Sequence, residues 1–547
     1  MHDDVGICNP IFYIKYGMYN MQYMISNINQ KTLNTLVAIL IAIFTTGYLR
    51  VHWIPFLPES DGGNYTFFAQ YMYSRISSGQ NIDVSMPISL YSLMTSWVYG
   101  FEINQFIALR WIDLCLALTA SILFFKVIEK ESGSILFTIV SVATLLLIMN
   151  DYSLVMYGFR NSIWAAYVPL FLALLISQNS SKESNYSFYF IGALVSLGVL
   201  LREPFLIFFI LGSFAILFTY GWKVLIKYFV GSAVLGFTTL LIIFMIRGEG
   251  TPLSIVESYI NFSGETKTIV GELKVSYFFI AAMTMIKAYW FGIVLSLMSS
   301  IYVLKLYLTD KKLISIHRFS FWLALALIPI IEPLLGLGFS YHFANCIPGL
   351  VGILAMTWKY ISLNQSKNIQ KYLLIAVYVF FIYGAYPNVS KTLKINVYQN
   401  ENVLVNAYNQ IWENSFSEIE NIKLSNFLIA SDMIKKLSSN DSTLATAGFA
   451  KILFPLTGLL PPTYELYDLR GLFSNLNWDE DKLVKILKEQ RPTIIMPTKQ
   501  KLPGITNLTR VIQKTGLYER VAIVSYSPNV YYKSITGDIY RLKSFKK

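Results

Sequence analysis

The sequence predicts a polytopic α-helical membrane protein that carries a soluble α/β domain at its C-terminal end. Three observations predict it. Hydrophobic residues make up 54% of the 547 and charged residues only 14%, against about 25% charged in an ordinary soluble domain. Mean hydropathy is +0.50, and apolar runs of spanning length recur as far as residue 387. Beyond that point the apolar runs shorten to strand length.

A spanning helix needs about 20 apolar residues, with a working range of roughly 17–25. Such runs occur near 33–49, 104–128, 133–150, 161–178, 186–201, 204–220, 226–246, 287–308, 319–338, 343–358 and 371–387, which predicts eleven spans. The first 31 residues lack the basic, apolar and small-residue order of a cleavable signal, and read as a cytoplasmic lead-in. The net charge of +12 does not point to nucleic acid, because basic residues of an integral protein collect in its cytoplasmic loops. Cys8, Cys115 and Cys346 are far apart and offer neither a metal spacing nor a disulfide framework.

Loop charge predicts orientation. "KVIEKE" (126–131), "SKE" (181–183), "WKVLIK" (222–227), "KLYLTDKKLISIHR" (305–318) and "KYISLNQSKNIQK" (359–371) fall on alternate connections. These lysine-rich loops are cytoplasmic by the positive-inside rule. The loops at 50–103, 150–160, 247–286 and 338–343, and everything after 387, then lie outside. Arg202 and Arg247 sit at outer helix ends, against that bias.

The first outer loop opens with "PESDGGNYTFFAQYMYSR" (58–75). After Asp61-Gly62-Gly63, residues Tyr65, Phe68, Ala69, Met72 and Ile76 form one helical stripe, and Gln70, Ser74 and Ser77 fall on the other face. Such a helix is expected in the plane of the interface. A second in-plane helix is expected over "MPISLYSLMTSWVYG" (86–100), opened by Pro87. Asp61 stands at the start of the first, either as a reactive carboxylate or as a helix cap.

Residues 388–547 predict the α/β domain. "STLATAG" (442–448), "PTIIMP" (492–497) and "ERVAIVSYS" (519–527) read as strands. "WDEDKLVKILKEQRP" reads as a helix, with acids in its first turn and Leu483, Ile486 and Leu487 on one face.

Several of these features occur in the order found in one family. Asp61 follows the first span and is succeeded by Tyr65, Ala69 and Gly79. Pro87, Tyr91 and Gly100 mark the second in-plane segment, and "NQFIALR" (104–110) opens the second span. "LLREPF" supplies Arg202, "YHFANCIPG" (341–349) opens a late helix, and "DLRGLF" (468–473) lies in the outer domain. Across most of its length the chain resembles the GT-C superfamily of membrane glycosyltransferases. The resemblance is to the branch with protein O-mannosyltransferases and the lipid A aminoarabinose transferase. It departs from that pattern at Met86, where many relatives carry a basic residue that contributes to phosphate binding. It departs again in "ESDGG", which separates the two acids and leaves Glu59 and Asp61 both open as the base.

The resemblance implies an enzyme of the bacterial inner membrane acting at its outer face. It would move a sugar from a polyprenyl-phosphate carrier to a hydroxyl of an envelope glycan, lipid or protein, with inversion. Such chemistry asks for a carboxylate to take the acceptor's proton, and for arginine, lysine or a metal ion to meet the departing phosphate. Asp61, or Glu59, is the expected base. Arg202 is the first phosphate candidate, with an ion pair to Glu203 as its structural alternative. Arg247, Lys267, His342 and Tyr65 are further donor-binding candidates. Glu249 and Glu257 are candidates for acceptor or metal, although a solvated face explains them as well. Glu332, an acid inside a predicted span, is a functional suspect by its position. No cofactor motif is present, so any divalent cation would be held by scattered carboxylates. A flippase or transporter of lipid-linked glycans is the main rival, but no internal repeat supports it. An O-antigen polymerase or ligase, and a receptor or scaffold, are the others.

Overall fold

The computed structural model describes residues 30–51, 60–83, 86, 88–101, 105–150, 161–179, 186–248, 250, 283, 290, 293–308, 316–335, 344–364, 372, 375, 376, 379, 424–447, 451–469, 480–497, 508–524 and 537–544. The side chains of residues 60–64 and 329–335, and a few others at element ends, lie outside that description.

Among the described residues, four helices are long and apolar enough to cross a membrane: Thr32–Val51, Ala108–Ser132, Glu203–Tyr220 and Trp222–Arg247. Shorter apolar helices accompany them at Ile135–Met149, Ile163–Gln178, Ser187–Leu201, Ile293–Leu308 and Ile316–Ile328. The chain is a multi-pass membrane protein of mainly helical fold with a small sheet. Helix occurs in each predicted span from 33–49 to 343–358, while the span expected at 371–387 lies almost wholly outside the described residues.

Small residues set how these helices meet. In lipid no hydrophobic force draws helices together, so backbones approach where side chains are smallest. A Cβ at Gly192 would lie 2.0 Å from the carbonyl oxygen of Tyr228, and one at Gly231 would lie 1.9 Å from that of Tyr189. The Ser187–Leu201 and Trp222–Arg247 helices therefore touch backbone to backbone, and the Ser232 hydroxyl donates across the seam to Gly192 O at 2.9 Å. Gly349 and Gly352 likewise admit the fully buried Trp322. The first helix widens into one π turn at Ile43–Gly47, where Thr45 bonds back to Ile41 O at 2.6 Å and Thr46 reaches across to Ser121 at 2.8 Å. Phe218, Phe237 and Met245 remain exposed on outward helix faces, as lipid contact requires.

At the end of the bundle away from the Ser60–Ser77 helix, buried Glu131 accepts from Arg318 at 3.2 Å and from Gln178 at 2.6 Å. Three helices distant in sequence are thereby tied together.

The C-terminal domain holds a four-stranded sheet of order β1-β2-β4-β3. β1 (Leu444–Thr446) pairs in parallel with β2 (Ile494–Met496), while β4 (Gly537–Leu542) runs antiparallel to β2 and to β3 (Tyr518–Val524). The predicted strands form as β1, β2 and β3, but β4 was not anticipated. Leu483 and Leu487 of the Glu480–Gln490 helix are buried against the sheet, as their spacing predicts.

The first loop differs from expectation. The Ser60–Ser77 helix does form, but its middle is buried on every side: Phe67, Ala69, Tyr71 and Met72 are at most 1% exposed and Gln70 only 7%. One side packs on the segment Leu90–Gly100, and another on Phe454, Tyr464 and Tyr467 of the C-terminal domain. Gln70 is buried, although the amphipathic pattern puts it on the polar face. Gly79, at φ +66°, turns the chain out of the helix. The second loop helix begins at Leu90, capped by the Ser89 hydroxyl, and becomes 3-10 over Ser96–Gly100. Pro87, expected to open it, lies outside the described residues.

Candidate functional site

The residues singled out in the sequence fall into two groups. Glu59, Glu249, Glu257, Lys267 and His342 lie outside the described residues, as does the side chain of Glu332. Asp61 is placed by its backbone within the first turn of the Ser60–Ser77 helix. Its side chain is outside the description.

Tyr65, one turn further along, packs edge-on against Tyr91 with ring centroids 5.8 Å apart. Its carbonyl accepts from the Ser92 hydroxyl at 3.2 Å.

Arg202 ends the Ser187–Leu201 helix in extended conformation. Its N–H bonds to Gly198 O at 3.0 Å and Val199 O at 3.1 Å. The guanidinium is half-buried, whereas neighbouring Glu203 is exposed.

Arg247 is the last residue of the Trp222–Arg247 helix and is 1% exposed. Its Nη2 donates to the carbonyl oxygen of Met86, beside a backbone bond from Ile82 N to Ile246 O at 3.4 Å. Gly248 then reverses the chain at φ +66°, against the amide of Asn81. Arg247 thus meets the loop after the first span directly, at the residue where the sequence departs from its resembled family.

A third group was not anticipated. At the end of the bundle that bears the Ser60–Ser77 helix, Arg50 forms an ion pair with Asp113, both nearly fully buried. Arg50 Nη1 also reaches Asn150 Oδ1 at 3.4 Å, and the guanidinium lies over the Trp164 ring, 5.5 Å from its centroid. Asn150 Nδ2 donates to Thr46 Oγ1 at 3.1 Å. Arg110 is buried one turn before Asp113. Asp113 Oδ1 has no hydrogen-bond partner among the described residues. The available signal was an arginine and an aspartate inside apolar runs, "TGYLRV" and "LRWIDLCLAL", which the cost of burying charge in a membrane makes suspect.

Asp83 was also missed. Its Oδ2 accepts from the Tyr71 phenol at 2.5 Å and from the backbone N–H of Tyr464 at 3.1 Å. Arg75 donates to the same phenol at 2.9 Å. Burial, together with the bond to Asp83, pushes the Tyr71 phenol well above its ordinary value, so it stays a donor. Burial and the nearby Asp83 raise the Glu465 carboxyl as well. Within the C-terminal domain Lys451 pairs with Asp468 at 2.9 Å and lies over the Tyr467 ring at 4.8 Å. This closes the segment that presents Phe454, Tyr464 and Tyr467 to the loop helix.

The described residues include no group of three or more His, Cys, Asp or Glu able to hold a metal ion.

No family model matches the chain, and no curated protein matches it. Among solved structures, the archaeal oligosaccharyltransferase AglB of Archaeoglobus fulgidus, in complex with an inhibitory peptide and a dolichol-phosphate, aligns with TM-score 0.46 and 12% identity over 85% of this chain and 69% of that one. A second structure of the Archaeoglobus fulgidus oligosaccharyltransferase, tethered to an acceptor peptide, aligns with TM-score 0.45 and 11% identity over 92% of this chain and 74% of that one.

Proposed function

We propose that the chain is a GT-C type glycosyltransferase of a bacterial inner membrane. It transfers a sugar from a polyprenyl-phosphate donor to a hydroxyl of an envelope glycan, lipid or protein at the outer face. The observation that supports this best is the position of the Ser60–Ser77 helix. It carries Asp61 in its first turn at one end of the apolar bundle, between the second loop helix and the C-terminal domain. A carboxylate there stands where an acceptor from the aqueous side meets a donor whose tail lies in the bilayer.

In the reaction the acceptor oxygen attacks the anomeric carbon and the bond from that carbon to the phosphate oxygen breaks, in one inverting displacement. The proton passes to Asp61, with Glu59 as the alternative base. The charge that develops on the phosphate calls for cations. Arg247 brings one to Met86, the position where resembled proteins are basic, and Arg202, Lys267 and His342 are further candidates. Tyr65 would line the donor side, and Glu249 and Glu257 the acceptor side. The C-terminal domain, 388–547, would cover the site from the outside, with the N-terminus in the cytoplasm.

Purified full-length protein in lipid nanodiscs, incubated with labelled polyprenyl-phosphate sugars, tests the reading. Turnover by the native chain, reduced at least about 100-fold in folded Asp61→Asn, is the expected result. Undiminished turnover in Asp61→Asn removes Asp61 as base. Movement of labelled lipid across the bilayer of sealed proteoliposomes, without sugar transfer, favours the flippase.

A further inference from the structure

We infer that the segment Leu90–Phe101 is a membrane-docking surface. Its outward face, carried by Met94, Trp97 and Phe101, takes the glycerol and upper acyl region of phospholipids in the leaflet beside the Ser60–Ser77 helix. The inference stands on the geometry of the first loop and is independent of the glycosyl-transfer reading.

The segment is turned inside out for water. Met94, Trp97 and Phe101 recur at i, i+3 and i+7, on one face, and each is 54–55% exposed. Trp97 and Phe101 meet edge to face with ring centroids 5.8 Å apart. The polar residues turn the other way. Ser92, Thr95 and Ser96 are at most 7% exposed. Their hydroxyls donate to Tyr65 O at 3.2 Å, Tyr91 O at 2.9 Å and Leu93 O at 2.9 Å. The Tyr99 phenol likewise donates to Thr66 O at 3.0 Å. Between Asp83 and Glu102 the sequence carries no charge. Single exposed apolar residues are ordinary on a water-facing surface, but a contiguous patch marks a binding face. An uncharged segment that buries its hydroxyls and presents tryptophan, phenylalanine and methionine suits lipid.

Packing on the opposite side fixes the occupant. Val98 is fully buried against Leu109, with Ala108 and Ile112 beside it. Those residues open the candidate span Ala108–Ser132, whose 25 residues make a helix about 37 Å long against a hydrocarbon core of about 30 Å. The span is longer than the core, so its end turns stand in the interfaces, the level at which tryptophan rings collect. Trp111 is itself exposed there, and the docking face continues the lipid-facing surface of the span. The Ser60–Ser77 helix rides on the inner side of the segment. Tyr65 packs on Tyr91, and the Tyr73 phenol comes so near Gly100 that a Cβ there would lie 2.8 Å from it. The second loop helix, and not the buried middle of the first, is then what meets lipid.

The test uses the full-length protein in nanodiscs of phosphatidylethanolamine and phosphatidylglycerol. Nitroxides are placed one at a time by Met94→Cys, Trp97→Cys and Phe101→Cys, in a Cys8→Ser/Cys115→Ser background that leaves Cys346 buried. Phe237→Cys, on the exposed face of the Trp222–Arg247 helix, is the lipid reference, and Asn440→Cys, exposed in the C-terminal domain, is the water reference. Collision with oxygen, which concentrates in lipid, is compared with collision with a water-soluble nickel chelate. The expected result is an oxygen-to-chelate ratio several-fold above that of Asn440→Cys and close to that of Phe237→Cys. A ratio equal to that of Asn440→Cys overturns the inference, because the face then meets water. Low collision with both reagents overturns it as well, because protein then covers the face, and two chains per nanodisc would identify the cover as a second copy. Should the labels lower the melting temperature, the unlabelled native chain and Trp97→Phe are compared in phospholipids brominated on their acyl chains. Less quenched tryptophan emission in Trp97→Phe supports docking, and equal quenching overturns it.

Discussion

Tyr71 donates its phenol to Asp83 at 2.5 Å, and the same carboxylate oxygen takes the backbone N–H of Tyr464 at 3.1 Å. Residues 71 and 83 belong to the first loop and residue 464 to the C-terminal domain, so one oxygen joins two parts of the chain almost 400 residues apart. Beside it, Phe67 stacks on Tyr467 at 5.2 Å with an interplanar angle of 4°.

Removing that shared acceptor should loosen the contact. Asp83→Ala removes the acceptor of the Tyr71 hydroxyl, to which Arg75 still donates, and the acceptor of the Tyr464 N–H, at a cost of about 1–3 kcal/mol. Faster hydrogen exchange over 451–469, with exchange in the Trp222–Arg247 helix unchanged, is the expected signature. Unaltered exchange there would show that the aromatic stack alone holds the domains.

The same contact should weaken as pH rises above 4.5. The Glu465 carboxyl is raised above its ordinary value of 4.5 by burial and by Asp83. A carboxyl raised on folding binds more protons in the folded than in the unfolded state, so stability falls as pH climbs from 4.5 through the folded value. Melting temperatures across that window should decline in the native chain and decline less in Glu465→Gln.

Backbone contact between the Ser187–Leu201 and Trp222–Arg247 helices makes Gly192 intolerant of any side chain. Gly192→Ala would place a methyl 2.0 Å from Tyr228 O and force the helices apart. Overpacking of this kind costs about 1–3 kcal/mol, read as a lower melting temperature in detergent. Gly236, with open space around it, should accept alanine without loss.

Arg318→Ala should be among the most damaging changes at the opposite end of the bundle. It strands the Glu131 carboxylate, which is 1% exposed, and uncompensated buried charge costs about 3–5 kcal/mol. The paired change Glu131→Gln/Arg318→Met should recover most of that loss in a thermal melt.

How far the fold could be read from the sequence varied with distance along the chain. Spanning helices were readable because length and apolarity are local properties, and the runs at 133–150 and 186–201 became Ile135–Met149 and Ser187–Leu201. β4 escaped because "GDIYRL" is a short run opened by Gly and Asp, and takes its place by pairing with β2 and β3. Gln70 was read as solvent-facing because an amphipathic pattern shows that one face is polar without showing what packs on it. Arg50, Asp83 and Asp113 were passed over because each gains its role from a partner 63 residues away in the pairing of 50 with 113, or 381 in that of 83 with 464.

By itself the sequence determined the class of this protein: apolar runs of bilayer length, an acidic first loop, and a terminal α/β segment, all fixed by which groups each stretch can afford to remove from water. Only the tertiary structure decided which charges meet. A buried charge is tolerated where an opposite charge or an oriented dipole lies within a few ångströms, and that proximity is created by helix packing, as between Arg50 and Asp113, and not by spacing along the chain.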